Sequence, residues 1–277
     1  MQILLTDLKH VVQSALAEDI GSGDITAQLI PEDKVIKAQL VSNETAVLCG
    51  IPWFNEAFAQ VDSNVNVEWQ VTEGETIQPK QIICYLQGPA RSLLTGERTA
   101  MNFLQCLSGT ATLAARYAQV IQHTHAKVLD TRKTIPGLRT AQKYAVRCGG
   151  GTNHRMGLYD AFLIKENHIM AAGSITQAVI AARALAPDLR LEVEVENLQE
   201  VQEALQAEVK HLLLDNFSLE QLKEAVALVN GRATLEASGN VDLNTIVTIA
   251  ETGVDYISIG GITKHVQAID FSMRVID

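Results

Sequence analysis

The chain of 277 residues lacks the features that mark several large classes of protein. Its four cysteines form no CxxC pair, which argues against a zinc site. No apolar run approaches the ~20 residues that cross a bilayer, and no secretory signal is visible. Basic residues number 22 against 32 acidic ones, so nothing global attracts nucleic acid or an anionic membrane surface. We therefore expect a cytoplasmic protein with reduced thiols that binds neither nucleic acid nor membranes.

One segment of the chain reverses this acidic balance. From Asp130 to His168 there are seven basic and three acidic residues, a balance of 7 − 3 = +4 within a chain of net charge −10. The basic residues are Arg132, Lys133, Arg139, Lys143, Arg147, Arg155 and Lys165. A local basic cluster in an acidic chain indicates a small anionic ligand.

The first part of the chain has a mixed pattern. A helix is predicted over residues 8–20, and β-rich stretches follow at residues 38–50, 65–71 and 81–87. Beyond Glu97 the pattern is helical, with a predicted break at Gly109.

The second part is regular, with short apolar runs that alternate with helical segments. The runs are KVLD, AFLIK, LEVEV, HLLLD, TLEAS and YISIG. The serine or asparagine at Ser174, Asn197 and Ser218 stands where the N-cap of a helix is expected. Repeated β-then-α order predicts parallel strands joined by crossover helices.

Each apolar run delivers a polar residue or a glycine at its C-terminal end. These are Arg132 and Lys133, Lys165, Glu194, Asp215, Ser238 and Gly260. In an open sheet, six strands at ~4.8 Å would spread these groups over roughly 24 Å. A closed sheet would bring them around one mouth, so we predict a barrel of the (β/α)8 kind or one with fewer strands, with the active site at that mouth.

The cations at the predicted mouth favour an anion site. An arginine pairs bidentately with a carboxylate, whereas a lysine acts as a point charge. Arg155 and Lys165 are hard to dismiss, because an unpaired cation at a strand end is costly. The alternative for Arg132, Lys133 and Arg139 is a solvated loop, and the alternative for His154 is a hydrogen-bonded core residue.

Acidic residues follow on the next strands. Glu192, Glu194 and Glu196 are predicted on one face of a strand, and a parallel strand is normally buried on both faces, so these acids need partners. Asp215 ends the next apolar run. The alternative for Asp215 is a helix cap, but Ser218 already serves that role. Carboxylates on neighbouring strands, beside cations and a phosphorylated ligand, predict contact with Mg²⁺ or sugar hydroxyls.

Glycines follow the last two runs, in EASGN (Glu236–Asn240) and SIGG (Ser258–Gly261). Backbone N–H groups after these strands are a common phosphate site in such barrels. Two ordinary tight turns are the alternative.

Seven stretches of the chain together resemble one family. They are EDIGSGDIT, GERTAMNFLQCLSGTAT, DTRKTIPGLR, KYAVRCGGGTNHRMGLYDAFLIKENHI, LEVEVEN, LLLDNF and EASGN. The family is quinolinate phosphoribosyltransferase, also called nicotinate-nucleotide pyrophosphorylase (carboxylating), and the resemblance covers nearly the whole chain. It implies an N-terminal α/β sandwich domain at residues 1–108 and an incomplete (β/α) barrel at residues 109–277, with the C-terminal tail packed back on the N-terminal domain.

The resemblance also implies an activity. Enzymes of this family convert quinolinate and phosphoribosyl pyrophosphate to nicotinate mononucleotide, CO₂ and pyrophosphate in NAD biosynthesis. They work with Mg²⁺ as homodimers or higher oligomers, and we expect the same here.

The resemblance assigns roles to particular residues. Quinolinate is expected at Arg132, His154, Arg155 and Lys165, with Arg98 contributed by the partner subunit. Phosphoribosyl pyrophosphate is expected at Lys133, Glu194, Asp215, Ser238, Gly239, Gly260 and Gly261. Lys133, Glu194 and Asp215 are the predicted catalytic residues, and Glu194 and Asp215 are the predicted metal contacts, direct or through water. The chain departs from the family at GGITKH, where Lys264 replaces a histidine near the last phosphate contact.

Two other functions compete with this interpretation. Lys165 at a strand end among carboxylates is compatible with a Schiff-base aldolase. A related barrel that binds an oxyanion for transport or regulation would need no catalysis at all.

Overall fold

The computed structural model describes residues 5–276 and shows a mixed α/β fold. The helices are α1 (Leu8–Ile20), α2 (Ile51–Val61), α3 (Ala90–Val120), α4 (Arg139–Cys148), α5 (Glu166–Ala172), α6 (Ile175–Leu185), α7 (Leu198–Gln206), α8 (Leu219–Val229), α9 (Ile246–Ala250) and α10 (Gly261–Lys264). The strands are β1 (Val35–Ser42), β2 (Ala46–Val47), β3 (Asn66–Trp69), β4 (Thr76–Ile77), β5 (Ile82–Pro89), β6 (Lys127–Leu129), β7 (Ala161–Ile164), β8 (Arg190–Val195), β9 (His211–Asp215), β10 (Thr234–Ser238), β11 (Tyr256–Ser258) and β12 (Phe271–Ile276). Among the residues described, no helix combines the length and apolarity needed to cross a membrane.

The chain forms two compact units, each built from separate stretches of sequence. The first unit comprises Met1–Ala115, Thr134–Gly150 and Ile262–Asp277, and the second comprises Arg116–Lys133 and Gly151–Gly261. The expected domain boundary between residues 108 and 109 stays a prediction, since these units are defined by compactness alone.

The predicted helix break at Gly109 is wrong. Helix α3 runs without interruption through this position. A Cβ atom on Gly109 would lie only 2.1 Å from the carbonyl oxygen of Gln267. The glycine therefore permits a close approach of another segment, and this packing overrides its low helix propensity.

The first unit is built on an antiparallel sheet in the order β12-β1-β5-β3. The predicted helix over residues 8–20 is confirmed as α1. Helix α2 contributes the fully buried rings of Trp53, Phe54 and Phe58. The ring of Tyr144 on α4 meets that of Trp53 edge-on, with 5.3 Å between centroids, so α4 is anchored in this core.

The second unit is built on a parallel sheet in the order β6-β11-β10-β9-β8-β7. Every one of the six predicted apolar runs is a strand of this sheet, and the helices between them are the crossovers. Strands β6 and β7 are the two edges of this sheet. An isolated bridge joins Leu129, at the end of β6, to Thr152, between α4 and β7. The predicted fold class, an α/β sandwich part with an incomplete (β/α) barrel, is confirmed.

The predicted N-caps of the crossover helices are also confirmed. Ser174 and Asn197 accept backbone N–H bonds at the starts of α6 and α7, and Ser218 forms a complete capping box with Gln221 on α8. These caps satisfy N–H groups that would otherwise lack partners and fix where each loop ends. The loops at the carboxyl ends of the strands are therefore held in place.

Candidate active site

A cavity of about 330 Å³ lies at the carboxyl ends of the parallel strands in the second unit. Side chains from every strand of the sheet, or from the loop just after it, line this cavity. Eight of the predicted site residues are among them: Arg132, Lys133, His154, Arg155, Lys165, Glu194, Asp215 and Ser238. The convergence of all six strand ends on one cavity is what a curved sheet provides and a flat one does not.

The cationic side of the cavity is formed by Arg132, Arg155 and Lys165. Burial, and then the charge of Arg132, lowers the pKa of Arg155, so the two guanidinium groups repel each other. Nη1 of Arg155 donates to the carbonyl oxygen of Ala161 at 3.2 Å, which fixes the side chain against β7. An anion placed between the two arginines would relieve their repulsion.

Lys165 and Glu194 form a close ion pair across the adjacent strands β7 and β8. The Lys165 side chain is 45% exposed and that of Glu194 is 13% exposed, so the pair stands at the edge of the cavity. Helix α5 begins directly after Lys165, and the backbone N–H of Lys165 donates to Nδ1 of His168 at 3.0 Å. The lysine is thus positioned by a strand on one side and a helix start on the other.

Asp215 and Ser238 end the neighbouring strands β9 and β10 and are directly in register. Oδ2 of Asp215 accepts from the side chain of Asn216 at 2.8 Å, and the N–H of Asn216 donates to the carbonyl of Ser238 at 2.9 Å. Gly239 follows with φ +106°, and a Cβ there would lie 2.2 Å from Oδ1 of Asn216. This backbone conformation favours glycine at the turn.

The floor of the cavity is a buried cluster of His154, Glu192 and Glu236. Nε2 of His154 lies 2.9 Å from Glu192 and 3.3 Å from Glu236, and these side chains are 8%, 3% and 3% exposed. Burial disfavours the imidazolium, but the two carboxylates outweigh it and raise the pKa of His154 to about 9. Burial raises the pKa of Glu236, whereas contact with His154 overcomes the burial of Glu192 and lowers its pKa.

The acids of β8 were expected to need partners if they were buried. Glu192 is buried, and its partner is His154. Glu236 was missed as a site residue, although its i, i+2 spacing from Ser238 on β10 places both on the same face.

Asp130 is a second residue that the sequence interpretation missed. It is fully buried after β6, and its carboxylate accepts hydrogen bonds from the side chain of Asn153 and from the backbone N–H of His154. It therefore ties the segment that carries His154 and Arg155 to the end of β6. Its position at the start of DTRKT, just after an apolar run, could have identified it as a residue of the site.

Four predicted site residues do not line this cavity: Gly239, which follows Ser238, and Gly260, Gly261 and Arg98. Gly260 follows β11, where a Cβ would lie 2.8 Å from Cδ of Lys133, and Gly261 begins α10. Arg98 is an exposed residue of α3 in the first unit, where it lines a separate cavity of about 290 Å³ with Asp19 and Asp24.

The expectation for Glu196 is wrong. It lies beyond the end of β8, is exposed, and lines a different cavity of the same unit with Glu166 and Glu200. The charge of Glu166, with smaller effects from other acids, raises its pKa. Because β8 ends at Val195, Glu196 is not part of the strand, although Glu194 lines this second cavity as well.

Two family models match the chain. The one described as "Quinolinate phosphoribosyl transferase, N-terminal domain" covers residues 24–108, and the one for the C-terminal domain covers residues 110–274. A Synechocystis protein named "Probable nicotinate-nucleotide pyrophosphorylase [carboxylating]" is 41% identical over 96% of this chain and 91% of its own length. A Nicotiana glauca protein named "Quinolinate phosphoribosyltransferase [decarboxylating] 2, mitochondrial" is 40% identical over 97% of this chain and 82% of its own length.

A solved structure agrees with these sequence relatives. The nicotinate-nucleotide pyrophosphorylase of Francisella tularensis is 49% identical to the chain and superimposes with a TM-score of 0.95 over 97% of this chain and 96% of that one. The similarity thus extends through both parts of the fold and includes the strands that carry the cavity. The chain belongs to the quinolinate phosphoribosyltransferase family.

Proposed function

We propose that the chain is a decarboxylating quinolinate phosphoribosyltransferase of de novo NAD biosynthesis. The observation that carries the proposal is a single cavity in which two mutually repelling arginines face two carboxylates and a serine at strand ends. Quinolinate is a dianion, and phosphoribosyl pyrophosphate carries several negative charges and a sugar. A basic wall opposite acidic and hydroxyl groups suits this pair of substrates.

Arg132 and Arg155 are the proposed carboxylate-binding residues. Each guanidinium presents two parallel N–H groups to one carboxylate, and a dianion between them offsets the repulsion that lowers the pKa of Arg155. Lys165, held by Glu194, adds a further positive charge at the same wall. His154 lies beneath them and contributes positive charge from the floor. Neutral pyridines gain none of these interactions.

Glu194 and Asp215 are proposed to act on the ribose. The ring nitrogen of quinolinate attacks C1 of the ribose, the bond to pyrophosphate breaks, and positive charge develops on the sugar. Carboxylates at this position stabilise that charge without forming a bond. Lys133, Ser238 and the glycines Gly239, Gly260 and Gly261 are proposed to hold the phosphate groups.

Decarboxylation then needs no additional group. Once the ring nitrogen carries the ribose, the positively charged ring accepts the electron pair of the departing carboxylate. CO₂ leaves, a proton takes its place, and nicotinate mononucleotide remains. The residues of the cavity are required to orient the substrates rather than to supply a nucleophile or a general base.

Glu194 and Asp215 also fit the proposed Mg²⁺ ion. Magnesium prefers a few carboxylate oxygens together with water and substrate phosphates, and these two carboxylates line the same cavity from adjacent strands. Both are engaged by neighbouring donors, Lys165 and Asn216, which suits contact through water. When bound, the ion would neutralise charge on the pyrophosphate group.

Arg98 is proposed to complete the site of a partner subunit in a homodimer or higher oligomer. Its exposed position on α3 leaves the side chain available to a second chain. Co-refolding of Arg98→Ala with Lys133→Ala should restore activity that neither variant has alone. Random mixing gives about half heterodimers, and one site of each would be whole, so about a quarter of all sites should work by the reciprocity of a two-fold interface. Turnover after co-refolding is the measurement.

The control for this mixing experiment is each variant refolded with itself. If heterodimers form and turnover stays at the level of these controls, Arg98 does not act across the interface.

The function itself is tested by quinolinate-dependent release of pyrophosphate from phosphoribosyl pyrophosphate. Equimolar production of CO₂ and nicotinate mononucleotide is expected, and nicotinate should replace quinolinate very poorly because it lacks the second carboxylate. Binding without turnover would favour a non-enzymatic oxyanion-binding protein. Borohydride trapping of a carbonyl substrate on Lys165 would favour a Schiff-base aldolase. A cytoplasmic location is part of the proposal, and the four free cysteines agree with it.

A further inference from the structure

A group of reactive side chains in the first unit has no part in the proposed reaction. Cys49 precedes α2, Glu73 lies in the turn between β3 and β4, and Cys148 is the last residue of α4. Their sulfur and carboxylate oxygen atoms all lie within 4.8 Å of one another. Cys49 is fully buried, while Cys148 is partly exposed. Three separate segments therefore bring two thiols and a carboxylate into direct contact.

The surroundings hold this group in place. The carboxylate of Glu73 accepts the backbone N–H of Gly50 at 2.6 Å and that of Ile51 at 3.1 Å, so it is fixed at the start of α2. Tyr144, one helical turn before Cys148, packs its ring against Trp53. Both thiols are thus attached to elements of the same rigid core, and neither can move away without disturbing it.

The two thiols differ in character. A hydrogen bond from Cys49, opposed by burial and helped by Tyr144 and Arg147, lowers the pKa of Cys148. Burial, together with the interaction with Cys148 and the charge of Glu73, raises the pKa of Cys49. The pair therefore resembles an attacking thiolate that is accessible to solvent and a buried thiol that resolves the product.

We propose that Cys49 and Cys148 form a reversible dithiol–disulfide pair that reacts with peroxides. The sulfur of Cys148 attacks one peroxide oxygen, the O–O bond breaks, and the leaving hydroxide takes a proton to form water. This leaves a sulfenic acid on Cys148. Cys49 gives its proton to the neighbouring carboxylate of Glu73, and its sulfur then attacks that of Cys148. The S–S bond forms as the S–O bond breaks, and the leaving hydroxide takes the proton from Glu73 to form a second water.

The balance of this sequence is two thiols and one hydrogen peroxide to one disulfide and two waters. An external dithiol returns the pair to the reduced form by thiol–disulfide exchange. Transient disulfides of this kind are compatible with a reducing compartment, where stable structural ones are not.

The other two cysteines provide the comparison within the same chain. Cys106 is partly exposed like Cys148, but burial raises its pKa. Cys84 is buried in β5, and burial raises its pKa as well. Because the thiolate is the nucleophile, Cys148 should alkylate faster at pH 7 than Cys106.

The experiment uses the full-length reduced protein, treated with equimolar hydrogen peroxide and then with N-ethylmaleimide in denaturant, so that buried thiols are alkylated too. Peptide mass mapping should show a linked Cys49–Cys148 peptide, while Cys84 and Cys106 stay available for alkylation. Dithiothreitol should remove the link. In Cys49→Ala the sulfenic acid should persist on Cys148 and be trapped by dimedone. Cys106→Ala is the matched control and should form the link normally.

Three results would overturn the proposal. The first is oxidation of Cys148 no faster than that of Cys106, with no linked peptide. The second is a Cys49→Ala protein that folds normally, by thermal melting, yet gives no dimedone adduct. The third is stoichiometric zinc in the purified protein that protects both thiols until a chelator removes it, which would make the group a metal site.

Discussion

The mouth and the floor of the cavity in the second unit use charge in opposite ways. At the mouth, Arg132 and Arg155 stand close enough for one to lower the pKa of the other. On the floor, His154 lies between Glu192 and Glu236, almost fully buried. The floor pairs its histidine with two buried acids, whereas the two neighbouring arginines at the mouth carry the same charge.

This difference separates the two roles that charged residues serve in a barrel. A buried charge that loses its partner destabilises the fold, because no solvent replaces the missing interaction. A partly exposed cation at the mouth costs less to leave unbalanced, and a ligand supplies the balance. Changes at the mouth should therefore act on activity, and changes at the floor should act on stability as well.

The largest expected effect is on the mouth. Arg132→Lys and Arg155→Lys keep the charge but lose the planar guanidinium group. Loss of one charged hydrogen bond costs ~2–4 kcal/mol, so kcat/KM for quinolinate should fall by a factor of roughly 30–1,000. The unfolding free energy should change little. Steady-state kinetics and urea denaturation of the same preparations measure both quantities.

The matched control is Arg183→Lys, an exposed arginine on α6 of the same unit. It should leave quinolinate kinetics unchanged. Near-normal kcat/KM in both mouth variants would remove the carboxylate-binding role of these arginines.

The charge of His154 on the floor should make the unfolding free energy of the protein depend on pH. The pKa of His154 is about 9 in the folded protein, against the ordinary histidine value of 6.5. Between these values the folded protein keeps a proton that the unfolded chain releases, so stability should fall as pH rises. The fall should be about 3 kcal/mol, most of it between pH 6.5 and 9. Urea denaturation across this range measures it.

His154→Gln removes the titrating group and should flatten this dependence, and Glu192→Gln should weaken it. A wild-type stability that is constant over the window would mean that the floor does not hold a charged imidazole.

A smaller effect is expected for Asp215→Asn. Asparagine keeps a hydrogen-bonding group but loses the charge, so KM for phosphoribosyl pyrophosphate should rise about tenfold and KM for quinolinate much less. EDTA should abolish wild-type activity, and added Mg²⁺ should restore it. Asp188→Asn, at an exposed loop position, is the control. Equal increases in both KM values would show that Asp215 supports the site as a whole.

The smallest effect is expected just outside the cavity. Glu196→Gln should leave kcat/KM within about twofold of wild type, since exposed side chains without specific partners rarely contribute. It should also relieve repulsion from Glu166, which raises the pKa of Glu196. A large loss of activity would show that Glu196 contributes to the site although it does not line the cavity.

The strands and caps were predictable from the sequence because their signals are local. Each apolar run of the second unit became a strand, and Ser218 with Gln221 formed the expected capping box. The polar residues at strand ends converge because parallel strands share one direction. For the same reason, eight predicted site residues were found in one cavity.

What the sequence could not supply were contacts between distant positions. His154 and Glu236 are joined only by the curvature of the sheet, and nothing near Glu236 indicates a histidine. Gly109 was expected to break a helix by its propensity, but the close approach of Gln267 decides its conformation. The prediction for Glu196 required β8 to extend to that residue. Strand ends are set by tertiary contacts as much as by sequence.

The pairing of β1 with β12 has a consequence for synthesis of the chain. Asn43 and Asp270 are hydrogen-bonded although 227 positions separate them. The four-stranded sheet of the first unit therefore lacks its edge strand β12 until residues 271–276 have left the ribosome. Until then β1 presents an unpaired edge, which is where nascent chains are prone to aggregate. Removal of residues after 270 should consequently harm folding yield more than it harms the activity of the molecules that do fold.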